Sequence, residues 1–303
     1  MIKKGALQIS FGWLFAIIVG AFIIFLAIFG LTKFMNTEQG AIDAKTSSEI
    51  GILLNPLETS FESAKTTSFS LPAESRINND CSKTGTFGQQ LISVSQKSFN
   101  KWSETNLDVS FQNKHIFSSG IVEGKNFYVF SKPFEFPFKV SDLIYMTSSK
   151  ETYCFDVSGD IEDEIETLDQ ANLLIGEDCL EDSVGVCDSG DCDIRIYSNY
   201  VKKGDDELYF ETDALMYAAI FADAEVYECQ LSRLMQRVEK LSEIYIDKAR
   251  SVNAICDLDM ISDLEELNRL VGSFEEPDEL SGITNVVGTL EDKNYAEGVC
   301  RLW

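Results

Sequence analysis

The residues best able to do covalent chemistry are eight cysteines: Cys81, Cys154, Cys179, Cys187, Cys192, Cys229, Cys256 and Cys300. An even count downstream of an apolar N-terminal segment reads as a disulfide framework. Spacing does not fix the connectivity of eight cysteines. Locally, Cys179, Cys187 and Cys192 share a short Gly/Asp-rich stretch and are expected to staple a loop. Cys256 and Cys300 flank C-terminal helical patterns and are expected to tie the tail down. The rival chemistry is zinc, but there is no C-x2-C pair, and Cys187-x4-Cys192 is a loose spacing for it. His115 is the only histidine, which excludes Ser-His-Asp triads and H-E-x-x-H metal sites.

Phosphate-cradling loops of the G-x-x-x-x-G-K-[ST] and G-x-G-x-x-G types are absent, as is a G-x-S-x-G elbow. Runs such as Glu162-Asp163-Glu164 and Glu275-Glu276 read as solvated faces. Catalysis by carboxylates alone would need two acids brought together by the fold. Asp188, Asp191 and Asp193 surround Cys192 and suggest either calcium or a plain disulfide loop. They depart from the EF-hand pattern, because Gly190 sits third and the closing Glu is missing. The expectation is therefore a protein that is not an enzyme, with no catalytic residue, no metal and no cofactor. No Asn-x-Ser/Thr acceptor for N-glycosylation occurs.

Charge narrows the partners. The chain has 50 acidic and 25 basic residues, a net charge of −25, with 45% apolar residues, enough for a core. Lys3, Lys4 and Lys33 are the only charged residues before position 36, so the remainder is more acidic still. Such a body is repelled by phosphate backbones and by anionic lipid surfaces, and no nucleic-acid partner is expected.

One element must position this body. Gly5 to Thr32 is uncharged, and Phe11–Leu31 is dense in Ile, Leu, Phe and Val. A membrane-spanning helix needs about 20 apolar residues. A cleaved secretory signal has an apolar region of only about 7–15 residues and a small-residue site after it. Leu31-Thr32-Lys33-Phe34-Met35 offers no such site. The lipid bilayer is thus the first expected partner, with a retained anchor. Lys3 and Lys4 precede the span, which places the N-terminus in the cytoplasm and the bulk of the chain outside the cell membrane.

The opening MIKKG-ALQISFGWLF resembles the processing site of archaeal type IV pilin-like proteins. In that family a short basic leader ends in Lys/Arg-Gly and is removed before the apolar helix. The resemblance implies cleavage between Gly5 and Ala6, with Gln8 and Ser10 in the polar start of the mature chain. The acidic residue that many members carry soon after this point is absent. The family further implies pilin-type subunits as partners through the N-terminal helix. The expected function is a membrane-anchored, non-catalytic surface protein, an accessory pilin-like subunit or an adhesin. A ligand-binding or sensor ectodomain on a single-pass anchor is the alternative.

The expected fold class is α+β, with domains at 1–5 (basic leader), 6–35 (transmembrane helix), 36–88 (stalk helix and loop) and 89–303 (disulfide-stapled extracytoplasmic domain). Asn55-Pro56 should break the stalk, and the Pro, Gly, Asn and Ser of 72–88 read as a loop. Residues 89–157 read as an antiparallel sheet, with a hairpin turn at Glu123-Gly124-Lys125-Asn126. Phe134, Phe136 and Phe138 alternate next to Pro133 and Pro137, a sheet edge whose Phe face is either core or a strand-addition surface. A short acidic helix covers 160–175, and a hairpin turns at Lys203-Gly204-Asp205. From Asp223, a plausible N-cap, a long helix carries Tyr227, Leu231, Leu234, Val238, Leu241 and Tyr245 in one stripe. That stripe packs either on the protein's own sheet or in a coiled coil. Shorter helices follow near 258–272 and 277–291.

Overall fold

From Phe11 onward the uncharged N-terminal run forms the first part of α1, Phe11–Leu53, a 43-residue helix. The computed structural model describes residues 11–54, 65–98, 101–103, 108–256, 259–296 and 300–303. The Gly5–Ala6 cleavage pair lies outside the described residues. Within α1, Gly12–Gly30 is long and apolar enough to cross a membrane, and none of it is buried against the body. The helix runs on without a break from the span into the expected stalk as far as Leu53, and the expected break at Asn55-Pro56 lies outside the described residues. Ile50, Gly51 and Leu54 are buried in the body.

The first sheet contains β1 (Lys65–Ser82), β2 (Gln89–Ser98), β3 (Lys101–Trp102), β4 (Val109–Phe111), β5 (His115–Phe117), β6 (Ile121–Glu135) and β7 (Lys139–Ser148). Their order is β3-β2-β1-β6-β7-β5, with β4 also on β2. Most of 72–88, expected as a loop, is therefore strand. Pro72, which has no N–H to donate, falls in a bulge between the Ser70↔Asn126 and Ser75↔Gly124 pairs. The polar residues beyond it alternate outward around buried Ile77 and Asn79. The expected hairpin at Glu123–Asn126 is likewise replaced by the uninterrupted β6. Gly124 faces the bulge, and a Cβ there would stand 3.0 Å from Ser148 Cβ. Pro133 pairs with Asp142 of β7, and it lies beyond the first described β1 pair, Lys65↔Ser131, so among the described residues β6 has an edge at that point. The neighbouring Phe134, Phe136 and Phe138 are fully buried, so this Phe face is core.

The second sheet, β13-β12-β11-β10-β8-β9, corrects the antiparallel expectation. It contains β8 (Tyr153–Asp156), β9 (Leu173–Ile175), β10 (Val184–Cys187), β11 (Ile194–Ile196), β12 (Tyr200–Lys203) and β13 (Asp206–Tyr209). Strands β8, β9, β10 and β11 pair in parallel, because α2 (Asp160–Leu168) carries the chain back over the sheet between β8 and β9. Strands β12 and β13 form the expected hairpin, with Gly204 at φ 58° in its turn.

The helices α3 (Asp213–Phe221), α4 (Ala224–Cys256), α5 (Ile261–Gly272) and α6 (Leu280–Tyr295) complete the chain. Tyr227, Leu231, Leu234 and Val238 of α4 are buried in one core with Phe130, Tyr145 and Phe221. The stripe thus packs internally. The opposite face of the first sheet holds a second core, in which Ile77, Ile92, Val129 and Met146 meet Ile50 and Leu54 of α1.

All eight cysteines pair: Cys81–Cys229, Cys154–Cys179, Cys187–Cys192 and Cys256–Cys300. The last closes the tail as expected, and Cys187–Cys192 closes the Asp-rich loop. Cys179 leaves that loop and pairs with Cys154 of β8.

Candidate functional site

The first sheet curls until β5 returns beside the far ends of β1 and β2. Among the described residues no ladder closes this gap; side-chain amides do, beside one backbone bond from the Asn79 N–H to Gly120 O. Gln90 Oε1 accepts the Ile116 N–H at 3.0 Å, and Asn79 Nδ2 donates to Ile116 O at 3.1 Å and to Ser118 Oγ at 2.7 Å. Gln90 Nε2 donates to Asn79 Oδ1. From α4, Gln230 Nε2 donates to Gln90 Oε1 at 2.6 Å. Buried backbone groups need partners, and these amides supply both a donor and an acceptor in one plane.

Arg233, one turn further along α4, is fully buried. Its guanidinium donates to the carbonyls of Phe87, Phe111, Gln112 and Lys114 and to Gln230 Oε1 at 2.7–3.4 Å. Among the described residues it meets no carboxylate. Burial, and then the Arg237 charge, draws its pKa down to about 10. The Arg233 stem packs against Gly88, at φ 56°, where a Cβ would stand 2.8 Å from Arg233 Cγ. His115 shares a 3.0 Å hydrogen bond between Nδ1 and Ser141 Oγ. Burial, with Arg233 and Arg237 nearby, holds it well below the usual histidine range, so it is neutral.

Beside this seam, a groove of about 600 Å³ opens between Asn78–Cys81 of β1, Gly120–Ile121 and the first turns of α4. The Cys81–Cys229 disulfide joins its two walls. Asp80, Asp223, Glu225 and Glu228 line it with Lys83. Asp223 stands immediately before α4, in the expected N-cap position, where its carbonyl takes the Tyr227 N–H; its Oδ2 also accepts the Gly120 N–H at 2.7 Å. The acids in the first turns of α4 also complement the helix dipole.

Comparisons with known families, curated proteins and solved structures return no match.

Two of the three acids around Cys192 have structural partners. Asp188 Oδ2 accepts from the Ser158 N–H and hydroxyl, and Asp193 Oδ2 accepts from the Gly185 N–H. Their carboxylates therefore hold backbone in place, and among the described residues no cluster of acids, His or Cys is arranged to hold a metal. Glu164, from the acidic run, pairs with Lys132 at 2.6 Å. Lys203, expected only as part of a hairpin turn, donates to Ala222 O at the C-terminal end of α3, and burial pushes its pKa down to about 8. The seam residues Asn79, Gln90, Gln230 and Arg233 also escaped notice. One signal existed: Gln230 and Arg233 interrupt the apolar stripe of α4 from beside it, where a solvated helix face would not place them.

Proposed function

We propose that this chain is a membrane-anchored, non-catalytic surface protein, its body held outside the cytoplasm by α1. One observation carries the reading. An exposed apolar helix of spanning length leads into a body in which every cysteine is in a disulfide. At about 1.5 Å per residue, the helix sets Ile50 about 30 Å beyond Gly30, clear of the lipid headgroups. The MIKKG-A start supports the narrower form, a pilin-like accessory subunit or adhesin processed between Gly5 and Ala6. Mass spectrometry of the mature N-terminus tests that form: a chain beginning at Ala6 is expected, and retained Met1–Gly5 would remove it. Topology is tested on intact cells, where added protease should digest the body. Digestion only after lysis would overturn the anchored reading.

The groove favours a second reading, a ligand-binding or sensor ectodomain on the same anchor. Its walls are already tied by a disulfide, as a preformed site requires. Protection of the groove against exchange by a small-molecule library, without any effect on self-association, is its expected mark.

A further inference from the structure

We propose that the amide-and-guanidinium seam is a conformational coupler joining the seat of α1 to the groove face of α4. The two ends are in contact with one continuous set of groups. At one end, the Phe111 ring lies where a Gly51 Cβ would stand, so α1 seats directly on β4. The carbonyl of that same Phe111 accepts from Arg233 at 3.4 Å. Arg233 donates to Gln230 at 2.7 Å, and Gln230 to Gln90 at 2.6 Å. Gln90 holds the Ile116 N–H and bonds Asn79. The Asn79 N–H reaches Gly120 O at 2.8 Å, and the Gly120 N–H reaches Asp223 in the groove wall.

The central links, Arg233–Gln230–Gln90–Asn79, are buried and share their groups, so none of these relaxes privately; the Phe111 link is half-buried and the Gly120–Asp223 link is exposed at the groove. Arg233 serves four carbonyls, from the β1–β2 loop, the end of β4 and the β4–β5 loop, and Gln90 Oε1 serves both Ile116 and Gln230. A displaced Phe111 carbonyl therefore either drags the guanidinium or leaves it short of an acceptor, and unpaired buried charge is strongly unfavourable. Ordinary ladder bonds would confine such a disturbance. A seam made of side chains passes it to α4, because α4 supplies two of its members. The consequence is directional: tilting or pulling α1 changes the groove, and filling the groove changes how firmly α1 is seated. This holds whether or not Gly12–Gly30 lies in lipid.

Hydrogen exchange on the full chain in detergent micelles tests the coupling. Gly51→Ala drives a methyl into the Phe111 ring. It should speed exchange at least tenfold at the Ile116 and Gly120 amides, not only at Leu54. Reciprocally, Gln230→Leu should speed exchange of the Leu54 amide, which bonds Ile50 O within α1. Leu290→Ala, on the buried face of α6, is the control and should leave all three amides unchanged. If Gly51→Ala does not fold, Phe111→Leu trims the ring and should give the same pattern at smaller amplitude. Faster exchange confined to residues 50–54 and 109–111, or an equal response to Leu290→Ala, overturns the proposal.

Discussion

Arg233 shows how one residue organises a region. A guanidinium has five N–H donors and no acceptor, so four carbonyls and an amide satisfy it where a lysine would satisfy fewer. Arg233→Met should lower stability in a urea titration by about 3 kcal/mol, because buried carbonyls lose their donor. Arg233→Lys should recover only part of that loss. His115 makes the protein acid-sensitive in a defined window. Its folded pKa is depressed below the unfolded value near 6.5, so the unfolded chain binds more protons as pH falls past that value. Stability is then full above about pH 6.5 and declines below it. His115→Gln should flatten the Tm profile between about pH 6.5 and 5. Glu74 acts lower down. Lys150 and Lys97 hold it at about 2, so its contribution is present above the ordinary carboxylate range and is lost as pH falls through that value. None of these roles was legible from sequence, since a lone His, an Arg in a helix and a Glu before a strand look the same whether buried or solvated.

Elements with a strong period were legible, and elements defined by their neighbours were not. The α4 stripe, the apolar span and the β12–β13 turn at Gly204 follow from spacing and from one glycine. Strand β1 was missed because its Ser, Asn and Pro carry turn signals, while the pairing with β2 and β6 that overrides them is remote in sequence. Gly124 was misread for the same reason: a bulge partner and a hairpin turn both call for glycine. The disulfides also act at this scale. Cys81–Cys229 closes a separation of 148 residues and Cys187–Cys192 one of 5. On the chain-entropy account the first contributes about 5 kcal/mol and the second about 2. Replacing both cysteines of the first pair with alanine should therefore lower the urea midpoint well beyond the same change in the second. Equal losses would show that native-state strain or residual unfolded structure dominates.

For the whole molecule, two physical facts pull in opposite directions. The body is acidic enough to stay soluble and to be repelled by anionic lipid, while α1 carries an apolar surface that water does not tolerate. A charge of −25 does not rescue a helix whose Phe, Ile and Leu side chains stand exposed over Gly12–Gly30. On the anchored reading proposed above, burial of that surface in hydrocarbon would dominate, because each such side chain contributes about 1.5–3 kcal/mol and repulsion between body and lipid is screened beyond about 10 Å. With the body set about 30 Å above the span, that repulsion is already weak at physiological salt. The full chain should therefore stay with the membrane pellet through both high-salt and alkaline carbonate washes, and leave it only in detergent. Replacing Ile18 and Ile24 with aspartate puts two charges near the middle of the span, at roughly 2.5–3.5 kcal/mol each on insertion scales. That variant should shift substantially to the soluble fraction while its disulfides still form wherever it is exported. Release of the unaltered chain by salt alone would mean that α1 is covered by protein rather than by lipid.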